Sequence, residues 1–129
     1  MRARRRFCSR CRQSKPVSAY YVNPTRSSGI QAYCKACFNA YTTDRFRRRK
    51  KQAVEYLGGR CADCKVVYPY FVYDFHHLDA TEKELQFTSL RRRSWAAIRA
   101  ELDKCILLCA NCHRIRHWER FAADEPVDL

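Results

Sequence analysis

Two kinds of residue in this 129-residue chain have the types and spacing to do chemistry: nine cysteines and four histidines. Eight of the cysteines form four Cys-x-x-Cys pairs, Cys8/Cys11, Cys34/Cys37, Cys61/Cys64 and Cys109/Cys112, and Cys105 is left over. Two thiolates three residues apart on a tight turn reach one ion together, and two such pairs complete a tetrahedral zinc site. The pairs therefore predict two structural Zn²⁺ ions. Sequential pairing joins Cys8/Cys11 to Cys34/Cys37 and Cys61/Cys64 to Cys109/Cys112, because a long helix expected between them would hold the inner pairs apart. Interleaved pairing, with the inner pairs on one ion, is the alternative. A disulfide framework would need an oxidising compartment. The N-terminal MRARRRFCSR is charged with no apolar stretch behind it, and no segment approaches membrane-spanning length, so a reducing cytoplasm is expected and no membrane partner.

The histidines fall into two clusters. His76 and His77 are adjacent in VYDFHHLD, and His113 and His117 are spaced i, i+4 in CHRIRH. Successive side chains of a strand point to opposite faces, so His76 and His77 should have different tasks. On a helix, His113 and His117 project from one face and can hold one ion. One strand histidine added to them would leave open positions on a metal distinct from the structural zinc, which is what a catalytic ion needs. The other strand histidine, titrating near neutrality, could then take a proton from an attacking water. Asp74 and Asp79 are alternative ligands or orienters, and Asp79 could equally cap the turn before ATEKE.

The elements that must position these groups follow from local chemistry. Residues 7 to 37 read as two cysteine knuckles bracketing a hairpin of SAYYV and IQAYC, with turns at Asn23-Pro24 and Ser28-Gly29. From Phe38 to Leu57 the chain lacks Gly and Pro, carries Phe38, Tyr41, Phe46, Val54 and Leu57, and stops at Gly58-Gly59, which predicts a helix. VVYPYFVYDFHH reads as strand around a proline, SWAAIRAELDKC as a helix capped by Ser94, and ANCHRIRHWERF as a second helix. Tyr68, Tyr70, Phe71 and Tyr73 are assigned to packing, Trp95 and Trp118 to anchoring their helices, and Cys105 to a small buried site.

Lys and Arg number 26 against 13 Asp and Glu, a formal net charge of +13, so a polyanion is the natural partner. Arg45, Arg47, Arg48, Arg49, Lys50 and Lys51 in the long helix, Arg91, Arg92 and Arg93, and Arg114 and Arg116 beside the helix histidines are the candidate phosphate contacts.

CADCK, DFHHLDATEKELQF and KCILLCANCHRIRH, over roughly residues 58 to 121, resemble the zinc-containing HNH endonucleases of the ββα-metal superfamily. The resemblance implies that His76 is a hairpin metal ligand, His77 the general base and His113 a helix ligand. His117 stands where some members have a further metal-binding histidine. The family's Asn, five residues before the last Cys-x-x-Cys, is replaced by Lys104, leaving Lys104, Asn111 and Asp74 as candidates to orient the base. The N-terminal segment from Cys8 to Tyr41 more loosely resembles a zinc module attached to phage-type HNH proteins, which implies an accessory nucleic-acid-binding unit.

The expected fold is thus a small metal-stapled α+β chain. Residues 1–45 form a zinc ribbon or treble clef, 46–57 a basic connecting helix starting near residue 38, 58–121 a ββα-metal domain, and 122–129 an acidic tail. The expected activity is metal-dependent hydrolysis of DNA, double-stranded, by nicking or double-strand cleavage, with one catalytic Mg²⁺, Mn²⁺, Ni²⁺ or Zn²⁺. A homodimer or a phage packaging or replication protein is the further partner expected, and a host cytoplasm the location if the chain is phage-encoded. The alternative is a non-catalytic zinc-finger protein that binds DNA or RNA on the same scaffold.

Overall fold

A computed structural model describes residues 2–82 and 86–122. The chain divides into two compact units, one up to Arg45 and one from Phe46. The acidic tail lies outside the described residues but for Ala122, as do residues 83–85 of the stretch after Asp79.

In the first unit, β1 (Arg5–Cys8) pairs antiparallel with β2 (Gln13–Pro16), with Cys8 opposite Gln13. The turn between them carries Cys8 and Cys11, and Arg12, at φ 60°, turns the chain so that its N–H reaches the Cys8 carbonyl at 2.8 Å. The hairpin therefore encloses the first cysteine pair and does not lie between the two pairs. SAYYV and IQAYC, expected as strands, contribute a 3₁₀ turn at Val17–Ala19 and one bridge between Val22 and Ile30. Tyr20 and Ile30 are the apolar residues that turn inward from those segments, packing on Cys8 and Cys34. With so small a core, the cysteine cluster has to hold the unit together.

Helix α1 (Lys35–Tyr56) begins three residues earlier than expected because the second cysteine pair occupies its start, with the Phe38 N–H on the Cys34 carbonyl at 2.8 Å. It ends where Gly58 and Gly59 take φ of 98° and 68°. Gly59 N–H bonds the Val54 carbonyl at 2.9 Å and Gly58 N–H that of Glu55 at 3.0 Å, closing the orphan carbonyls in a Schellman motif.

In the second unit, β3 (Tyr73–His77) pairs antiparallel with β4 (Cys105–Cys109), and α4 (Ala110–Phe121) follows β4 directly. Two short helices, α2 (Phe87–Leu90) and α3 (Trp95–Leu102), lie between the strands in sequence. Ser94 caps α3 as expected, its Oγ accepting from Ala97 N–H at 3.2 Å. The strand around Pro69 is shorter than expected, since Tyr70–Val72 forms a 3₁₀ turn that leaves only the last five residues extended. Two apolar clusters form the core of this unit: Val54, Cys61, Tyr73, Leu107, Leu108 and Cys109 make one, and Ala53, Leu90, Ile98 and Leu102 the other. Cys105 is buried, in agreement with its small-residue reading. Phe71 and Trp118, expected to pack, are 70% and 51% exposed. No helix among the described residues is long and apolar enough to cross a membrane. The architecture is a small α+β fold with two small antiparallel sheets and two four-cysteine clusters.

Candidate metal centres

The cysteines gather in the sequential arrangement, Cys8, Cys11, Cys34 and Cys37 in one cluster and Cys61, Cys64, Cys109 and Cys112 in the other. Cys11 and Cys34 sulfurs lie 4.0 Å apart, as do those of Cys64 and Cys109. A zinc–sulfur bond of about 2.3 Å places neighbouring sulfurs of a tetrahedron about 3.8 Å apart, so both clusters fit Zn²⁺.

Each cluster is prepared for a cation by backbone N–H groups. The Cys34 N–H donates to Cys8 Sγ at 3.3 Å, and the Cys109 N–H donates to Cys61 Sγ at 3.3 Å. At Cys8 these bonds, led by that from Cys11, bring the thiol down to about 6. At Cys61 burial opposes ionisation, but donors from Cys109, Cys64 and Asp63 outweigh it and bring the thiol to about 6 as well. Burial pushes Cys37 and Cys112 up to about 12, so the last cysteine of each cluster would need the ion's charge to shed its proton.

The adjacent histidines part as strand geometry requires. His76 turns toward α4, where its ring centroid lies 5.2 Å from that of His113 and 5.6 Å from that of His117. The ligand nitrogens of the three lie within 4.8 Å of one another, and the Nε2 atoms of His113 and His117 are 3.0 Å apart. The three imidazoles are thus grouped closely enough that they could hold one metal ion. Asp74 supplies an orienting contact: His113 Nδ1 is 3.0 Å from its Oδ2. A carboxylate accepts only, so His113 carries its proton on Nδ1 and directs the Nε2 lone pair at its two neighbours. Burial, then the charges of His113, Arg116 and His117, hold the His76 imidazole below its ordinary range and favour the neutral, ligating form.

His77 faces the other way. Its Nε2 is 2.7 Å from Oε1 of Glu101, a carboxylate only 4% exposed on α3, and Lys104 Nζ donates to Oε2 of the same group at 3.4 Å. Nε2 is therefore the donor, and Nδ1 is the ring nitrogen not engaged by Glu101. Of the three candidates for orienting this ring, Asp74 serves His113, Lys104 meets Glu101, and Asn111 is exposed on the first turn of α4. Glu101 was not among them. Its signal is an acid on the apolar stripe of α3, in register with Ile98 and Leu102, where a charge has to be paired.

Asp79 caps its turn, accepting from Thr81 N–H at 2.9 Å and from the Thr81 hydroxyl at 2.7 Å. Arg116 is engaged bidentately by Asp63, at 2.7 and 2.6 Å. Arg91 lies 3.9 Å above the Phe46 ring and Arg49 lies 5.9 Å from that of Trp95. Arg45 is half-buried, whereas Arg47, Arg48, Lys51, Arg92, Arg93 and Arg114 are exposed. Lys50 is half-buried beside β3, where burial draws its amine below the usual lysine range.

No protein-family model, no curated protein and no solved structure matches the chain.

Proposed function

We propose that the chain is a metal-dependent endonuclease of the HNH kind that hydrolyses DNA phosphodiester bonds. The observation that carries this reading is the parting of His76 and His77: one ring joins a three-histidine cluster, while the other meets a buried carboxylate through Nε2. A divalent ion held by His76, His113 and His117, whether Mg²⁺, Mn²⁺, Ni²⁺ or Zn²⁺, would supply stabilisation of charge on the scissile phosphate and the leaving 3′-oxygen. Three protein ligands leave the remaining positions to substrate and water.

His77 Nδ1 accepts a proton from water as the water oxygen bonds to phosphorus and the bond from phosphorus to the 3′-oxygen breaks. Glu101 acts as a positioning residue, fixing the tautomer through Nε2–H and stabilising the imidazolium that forms. Lys104 stands where the resembled family has Asn, and its contact with Glu101 places it one step behind the base. Exposed Arg47, Arg48, Arg92, Arg93 and Arg114 add phosphate contacts without base recognition.

Supercoiled plasmid incubated with each of the four ions in turn tests the proposal. Nicked circles are expected with at least one ion and none after chelation. The variant His77→Ala is expected to nick about 100-fold more slowly or worse while retarding DNA as before. DNA retardation without nicking across the whole panel would replace the enzyme with a non-catalytic nucleic-acid-binding protein.

A further inference from the structure

A cavity of about 330 Å³ runs beside β3 and touches both of its faces: its lining includes Asp74 and His113 from the metal side, and Phe75, His77 and Glu101 from the other. One further residue in that lining comes from α1. Lys50 sits with its Nζ 4.8 Å from the Phe75 ring centroid and 5.8 Å from that of Phe87, and it donates one hydrogen bond to the Tyr73 carbonyl. An ammonium has three donors, and among the described residues Lys50 forms no ion pair. A half-buried cation with donors to spare, in a lining that reaches both the proposed base and a metal-cluster histidine, has the environment of an anion ligand. Its neighbours in the basic run differ: Arg47 and Arg48 are exposed, and Lys51 lies 5.0 Å from the Tyr70 ring.

We propose that this cavity receives the scissile phosphate and that Lys50 holds one of its non-bridging oxygens, so that α1 contributes directly to the active site. The proposal rests on the endonuclease reading. It assigns Lys50 to turnover and Arg47 and Arg48 to general DNA affinity. The charge of Lys50 meets the phosphate as negative charge builds on it, whereas the exposed arginines act through counterion release.

Single-turnover nicking at saturating plasmid separates these roles. Lys50→Gln keeps a donor for the Tyr73 carbonyl but loses the charge, and its rate is expected to fall about 100-fold with plasmid affinity changed less than about threefold. Lys50→Arg restores the charge and should recover at least about tenfold of that loss. Arg47→Gln with Arg48→Gln should weaken affinity, with a shallower salt dependence. A Lys50→Gln rate within about twofold of wild type, while wild type nicks, overturns the Lys50 assignment alone. Wild type that nicks with no ion overturns the endonuclease reading and the Lys50 assignment with it. Zinc content and thermal unfolding of each variant are measured alongside. If Lys50→Gln fails to retain its zinc, Lys50→Met, which preserves the packing on Phe75 and Phe87, is judged by the same rates.

Discussion

The two four-cysteine units are built to one local plan, and their difference lies in what surrounds it. Each opens with a Cys-x-x-Cys turn followed by a non-glycine residue in the left-handed region, Arg12 at φ 60° and Lys65 at φ 63°. Each directs the backbone N–H of its third cysteine at the sulfur of its first, at 3.3 Å, and each starts a helix at its second pair. The residues one and five positions after the last cysteine are Phe38 and Thr42 in the first unit, and His113 and His117 in the second. Phe38 spends its ring on Tyr21, at 5.6 Å between centroids, whereas the two histidines turn toward His76. The comparison teaches that a cysteine-stapled turn and helix is a scaffold. Two helix positions and a hairpin carrying one more imidazole bring three histidines together on it, a group that could hold a metal ion of a second kind.

Removing a cysteine is the strongest way to break the comparison. Structural zinc contributes apparent free energies of about 10 kcal/mol or more, well above what a small apolar core supplies. Cys8→Ala and Cys61→Ala are each expected to lose one zinc equivalent by metal analysis. Backbone amide spectra should lose the dispersion of residues 2–45 in the first variant and of the second unit in the other. Loss of both zinc ions from either variant would mean that the two clusters are not separate staples.

A smaller effect divides the second unit against itself, because His113 and His77 each lean on a different carboxylate. Asp74→Asn removes the charge of the acceptor that fixes the His113 tautomer, and lets an amide N–H compete for its place, so it should weaken binding of a third metal equivalent by about 10- to 100-fold. Glu101→Gln should leave that equivalent in place and slow nicking by at least about tenfold, since the histidine it meets is His77, on the other face of β3 from the cluster. Calorimetric titration of Ni²⁺ or Mn²⁺ into zinc-loaded protein reads the first effect without reference to activity. If Glu101→Gln weakens metal binding as much as Asp74→Asn does, the separation of the two faces of β3 fails.

What the sequence made legible follows the reach of each interaction. Cysteine pairing and the i, i+4 histidines are local spacings, and strand alternation alone parts His76 from His77, so these positions could be read without a fold. The β1–β2 hairpin was illegible because its strands, RRFC and QSKP, are mostly polar and are set by the cysteine turn, while the more apolar SAYYV and IQAYC form a turn and a single bridge. Glu101 and Lys50 were hidden for a different reason. Lys50 sits in a charged helical run where only tertiary packing distinguishes the half-buried amine from Lys51, and Glu101 gave only the faint signal of a single acid in register with Ile98 and Leu102. Phe71 and Trp118 show the converse, since an aromatic residue's type does not reveal which side of its element meets solvent.

The finest contrast between the units is in how each uses a buried tyrosine. Tyr20 donates its hydroxyl to the Arg6 carbonyl at 2.8 Å, tying the segment after β2 to β1. Tyr73 donates to the Gly59 carbonyl at 3.1 Å and also accepts from the Tyr68 N–H at 2.7 Å, so one hydroxyl fastens the end of α1 and the approach to β3 at once. Replacing either by Phe keeps the ring and its packing. Tyr20→Phe leaves one carbonyl without its partner, and about 1 kcal/mol is expected. Tyr73→Phe strands a carbonyl and an N–H together, and the cost should be about 1–3 kcal/mol, because an unmet buried donor carries its own desolvation penalty. Denaturant unfolding of the zinc-loaded protein, followed by a probe in each unit, measures both. An equal or smaller loss for Tyr73→Phe would mean that water replaces its hydroxyl between Tyr68 and Gly59, and that the tighter fastening of the second unit comes from its metal ligands alone.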